Sequence, residues 1–165
     1  MKPSTVPLLA LLAGCGGAAD PRVRPSACDA TVAGACIVGA APNLDAAHLE
    51  RQIALALAYW SAPADALEQW AIVFSSGEVA CPTALGSGCT FWDSNRTILL
   101  QVLDPHCLET AQLVHEIGHV IHHDGGHAGP WWNWTTEQDR TWEIVRSPGA
   151  SPACAASRYY VAKPQ

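Results

Sequence analysis

Methionine is confined to the initiator, phenylalanine occurs twice, and no Cys-x-x-Cys pair appears in the 165 residues. Without that spacing a cysteine-rich zinc knuckle is not expected. Positive charge is scarce as well, with 9 Lys and Arg against 15 Asp and Glu and a formal net charge of -6. No basic patch can form from so few, and that excludes nucleic acid as an expected partner. After Val6–Ala13 there is no further long apolar run, so no membrane-spanning helix is expected. No internal repeat is visible. The length suits one domain, and a monomer is expected.

What is present begins at the N-terminus. Met1-Lys2 precedes the apolar stretch Val6–Ala13, which is too short to cross a bilayer but fits the apolar core of an export signal. It ends in Leu12-Ala13-Gly14-Cys15. This tetrapeptide resembles the lipobox of bacterial lipoproteins. The resemblance implies cleavage before Cys15, lipid attachment to Cys15 and loss of residues 1–14. The alternative is an ordinary secretory signal cut near Ala18-Ala19, with Cys15 discarded. Residues 15–27, rich in Gly, Ala and Pro, are predicted to be a flexible tether, and residues 28–165 the folded domain. The expected location is therefore outside the cytoplasm, on a membrane through the lipid. Gly16 lacks the acidic signal for inner-membrane retention, which favours the outer membrane in a host that has one, on either the periplasmic or the cell-surface face.

Six cysteines remain: Cys28, Cys36, Cys81, Cys89, Cys107 and Cys154. An even number in an exported small domain predicts disulfides. Close spacing favours Cys28–Cys36 and Cys81–Cys89, leaving Cys107–Cys154 as a long-range staple.

Apolar residues at spacings of three and four predict a helix from Asn43 to Trp60, capped by Asn43 or Asp45. Strands are predicted at Trp70–Phe74, Cys89–Trp92 and Thr97–Leu103. Asp104-Pro105 suits the start of a second helix, running to about Asp124 and stopped by Gly125-Gly126. Thr135 or Thr136 would cap a last helix to about Arg146.

The second helix carries His115-Glu116-Ile117-Gly118-His119. At about 100° per residue, His115, His119 and His122 share one face, and Leu113, Ile117, Val120 and Ile121 the opposite one. Two histidines four apart on a helix can aim both imidazoles at one metal ion. Glu116 lies about 100° from His115, beside the ion rather than over it. From there a carboxylate can take a proton from water without ligating. Five of the seven histidines fall between 115 and 127.

Strand, helix and His-Glu-x-x-His motif together resemble the zincin superfamily of metallopeptidases. The resemblance implies an α+β fold, with a small, twisted, mostly antiparallel sheet against an N-terminal helix and the active-site helix. It implies Zn2+ on His115 and His119, Glu116 as general base, and a peptide or protein substrate. The metzincin pattern is not met: its Gly position holds His122 and its third His position holds Gly125, and a Met-turn is impossible. His127 is the favoured third ligand, as the first residue able to fold back after two glycines. His127-Ala128-Gly129-Pro130-Trp131 also resembles the His-Gly-Pro-x-aromatic segment of SprT-like peptidases. Glu137 and Glu143 on the last helix stay open as third ligands, as do His122, His123 and Asp124.

Trp131, Trp132 and Trp134 would form either a wall for a substrate side chain or local core, with core favoured. His122, His123, Tyr159 and Tyr160 are candidate partners for an oxyanion. His48 and His106 are expected at the surface or as capping residues. A non-catalytic zinc-binding surface lipoprotein remains the alternative to a peptidase.

Overall fold

The computed structural model describes residues 25–40, 45–81, 85–93, 95–102, 111–127, 129 and 131–132. The expected export signal, Cys15, the expected start of the second helix, His106, the expected Cys107–Cys154 bridge, Trp134, the expected last helix with Glu137 and Glu143, Tyr159 and Tyr160 lie outside these residues.

Strands β1 (Ala30–Val32) and β2 (Ala35–Val38) form an antiparallel hairpin. Its two turn residues, Ala33 and Gly34, both have positive φ, 48° and 79°. That is the turn whose twist matches paired strands. The hairpin was not expected from sequence, because an Ala in the first turn position lacks the usual Asn or Asp signal. Cys28 and Cys36 are bridged across it.

Helix α1 (Ala46–Tyr59) follows, with the Asp45 side chain accepting from the His48 backbone N–H at 3.0 Å. Leu49, Ile53, Ala56, Leu57 and Trp60 form its buried stripe, as its periodicity predicts. His48 differs from expectation. It is 1% exposed, and its ring Nδ1 meets the Arg51 guanidinium at 3.1 Å. Only its backbone takes part in the cap.

The chain returns as β3 (Ala71–Ser75), parallel to β2. A small antiparallel ladder of β4 (Val79–Ala80) and β5 (Leu85–Gly86) leads to β6 (Gly88–Phe91). Cys81 and Cys89 are bridged at its base. Strand β7 (Thr97–Gln101) then runs antiparallel to β6 and parallel to β3. The five-stranded order is β1-β2-β3-β7-β6.

The domain is α+β, and its sheet is evenly mixed rather than mostly antiparallel. The helix between β2 and β3, and the β4–β6 excursion between β3 and β7, are long enough to bring the chain back in the same direction. The central parallel strands are apolar on both faces, as parallel strands must be. Ile72, Phe74, Ile98 and Leu100 meet the helices, while Leu99 packs with Val79 and Cys89 on the other side.

Helix α2 (Ala111–His122) packs on the helix-facing side through Leu113, Val114 and Ile117, which are fully buried. Val120 and Ile121 complete that face less deeply. The helix ends earlier than predicted. His123 turns into the left-handed region with φ 50° and stops it before Gly125-Gly126. Trp60 clamps the two helices together, its Nε1 donating to the Val114 carbonyl at 2.8 Å.

Register places two rows across the sheet beneath α2. Ile37, Ile72, Ile98 and Thr90 are successive cross-strand partners. Phe74, Leu100 and Gly88 form the neighbouring row. Both rows are apolar until they reach β6, where one ends in a hydroxyl and the other in a bare backbone. That corner receives Glu116.

Candidate metal centre

His115 and His119 lie one turn apart on α2, with their Nε2 atoms 3.0 Å from each other. His127 Nε2 lies 3.0 Å from His115 Nε2. All three ligand atoms fall within 4.8 Å of one another, so this cluster could hold a metal ion. Two nitrogens on a tetrahedral zinc at about 2.0–2.1 Å would stand about 3.3 Å apart. The observed spacing is close to that, and three imidazoles are a donor set suited to such an ion.

The turn after α2 delivers the third histidine. Once His123 reverses the chain, the Asp124 carbonyl comes back to accept a hydrogen bond from His119 Nδ1. With its proton held there, His119 keeps a lone pair on Nε2. The Asp124 carboxylate faces the loop rather than the cluster. Its Oδ1 accepts from Gly126 N at 2.9 Å and its Oδ2 from Trp131 Nε1 at 2.7 Å, and these hydrogen bonds hold its carboxyl below the usual range. Trp131 stacks on His122 with centroids 4.8 Å apart and planes at 13°. Trp132 meets the His115 ring edge-on at 4.3 Å.

Burial and the neighbouring His119 and His127 lower the His115 pKa to about 3. Burial also lowers His127. Both are neutral at pH 7, the form in which imidazole ligates.

Glu116 is 2% exposed. Its Oε1 accepts from Gln112 Nε2 at 2.7 Å and its Oε2 from Thr90 Oγ1 at 2.8 Å. Ser87 Oγ donates to Gln112 Oε1 at 3.2 Å, which orients the amide so that its N–H groups face Glu116. Burial pushes the Glu116 carboxyl up, while the neighbouring His119 and the hydrogen bonds from Thr90 and Gln112 pull it down; the net direction is upward. A side chain at Gly88 would place its Cβ 2.8 Å from Glu116 Oε1. With a side chain there, Glu116 and Gln112 would have to shift to keep β6 this close to the helix.

The predicted trio of His115, His119 and His127 is therefore brought together. His122 and His123 are exposed and lie outside the cluster. His122 is taken up by the Trp131 stack, and His123 lies 5.5 Å from the Trp92 ring. Trp132 is buried and Trp131 partly buried, both packed with the main core, in line with the expectation of local core.

Sequence reasoning missed Ser87, Gly88, Thr90 and Gln112. Gln112 was legible in principle, being four residues before Glu116 on one helix. Thr90 is 26 residues away and left no local signal. No protein-family model, curated protein or solved structure matches this chain.

Proposed function

We propose that the chain is a zinc-dependent metallopeptidase, exported and held by a lipid on Cys15 at a bacterial membrane, on its periplasmic or cell-surface face. The observation that carries the proposal is a convergent three-imidazole cluster with a buried carboxylate on the adjoining helix position. His115, His119 and His127 would hold the ion and leave a fourth position open. When bound, zinc supplies Lewis acidity to water and to a peptide carbonyl.

Glu116 moves the proton. Thr90 and Gln112 each occupy one lone pair of its carboxylate and leave others open. A carboxylate oxygen takes a proton from the attacking water as the water oxygen bonds to the carbonyl carbon. It returns that proton to the amine nitrogen as the C–N bond breaks. Burial raises the carboxyl's affinity for that proton. Two disulfides accord with an oxidising compartment.

A second reading, a zinc-binding lipoprotein without turnover, is favoured by one observation. Glu116 is almost fully buried, with a donor on each oxygen. One paired measurement on the full chain separates the two: zinc content, and cleavage of a mixed peptide library, for wild type and Glu116→Gln. A peptidase keeps zinc in both and loses about 10²–10⁴-fold of cleavage in the variant. Zinc in the wild type with no cleavage would establish the binding protein instead. Absence of bound zinc from the wild type would sink both.

A further inference from the structure

We infer that Asp124, which lies outside the three-histidine group, is the positioning residue that assembles the metal centre by clipping the loop of His127 onto the end of α2. The inference rests on the three-histidine centre but not on peptide hydrolysis.

Four contacts meet at this one residue, one of them from the Gly129 backbone N–H to the carboxylate. Its carbonyl receives the His119 Nδ1 hydrogen bond and so orients one ligand. Its Oδ1 takes the Gly126 N–H, the residue directly before His127. Its Oδ2 takes the Trp131 indole N–H beyond His127. The carboxylate therefore grips the loop on both sides of the third ligand. Trp131 in turn is anchored to the helix, stacked on His122 and lying against Gly118. Gly125 and Gly126 are exposed, and two adjacent glycines have wide conformational freedom. A loop of that composition needs a fixed point to keep His127 Nε2 beside His115.

The backbone and side-chain parts of the clip are separable. Any substitution at 124 keeps the carbonyl for His119, while Asp124→Ala removes the carboxylate's contacts to Gly126, Gly129 and Trp131. Trp131→Phe keeps an aromatic ring beside His122 and removes the N–H donor along with part of the indole, so the melting of the metal-free variant is read beside its affinity. Partners of ligands typically change metal affinity by about 10–100-fold. If Asp124 and Trp131 act through one hydrogen bond, their effects on affinity do not multiply.

The test is zinc affinity by competition with a chromophoric chelator on the full chain, for wild type, Asp124→Ala, Trp131→Phe and the double variant. Melting of the metal-free proteins is measured beside it. The expected result is a loss of about 10–100-fold in each single variant, with the double variant no worse than the weaker single. Should Asp124→Ala fail to fold, Trp131→Phe decides. Affinities within twofold of wild type, or losses that multiply in the double variant, would overturn the clip. A wild type that binds no zinc would remove the centre and the clip together. Zinc binding without peptide cleavage would leave the clip standing while the peptidase falls.

Discussion

Thr90 has one hydroxyl proton and two acceptors within reach, Glu116 Oε2 at 2.8 Å and the Glu116 carbonyl at 3.2 Å. The shorter contact is to the carboxylate, where a charge-assisted bond is the stronger of the two. Thr90→Val keeps the shape of the side chain and deletes the donor. A buried carboxylate oxygen would then be left with no partner on that side. We expect a loss of about 1–3 kcal/mol in unfolding free energy, read from denaturant titration of the metal-free protein. The zinc affinity should stay unchanged, since the Thr90 hydroxyl is directed to Glu116. A fall in affinity instead would mean that Glu116 supports the ligands directly.

At the scale of elements, the meeting of α1 and α2 depends on a missing side chain. A Cβ at Gly118 would stand 2.8 Å from Trp60 Cζ2 and 3.0 Å from Trp131 Cζ3. Trp60 cannot yield easily, because its indole is bonded to the Val114 carbonyl. Gly118→Ala gains about 1 kcal/mol of helix propensity but overpacks against two rings, which costs about 1–3 kcal/mol. Net destabilisation is expected, with a lower melting temperature, and a more stable variant would show that the rings move freely. Both helices were legible in the sequence from their period and, for α1, from Asp45. So were β3, β6 and β7. The β1–β2 hairpin was not, since Ala33-Gly34 gives a weak turn signal. The parallel pairing of β2, β3 and β7 was not either, because strand direction is set by what the connections can span. The end of α2 was misplaced because a histidine, not a glycine, takes the left-handed position.

Across the whole molecule the two bridges stand in different relations to the site. Cys28–Cys36 closes a loop of 8 residues at the far edge of the sheet, and Cys81–Cys89 closes one of the same separation on the strand that carries Thr90. Replacing either pair with serines should destabilise the fold by about 2–3 kcal/mol. For the proposed peptidase, only the second should also weaken cleavage beyond what its melting temperature explains; equal effects would show that β6 is held by its ladder alone. The site itself was half legible for a related reason. Its histidines come from one helix and the turn after it, with His115 and His127 separated by 12 residues. The setting of Glu116 needs a strand 26 residues away. On the proposed reading, capturing an ion is a property of a short stretch of chain, while shaping the base is a property of the assembled sheet. Drift along β6 could silence turnover and leave a competent metal trap behind, so the two capacities can be inherited and lost separately.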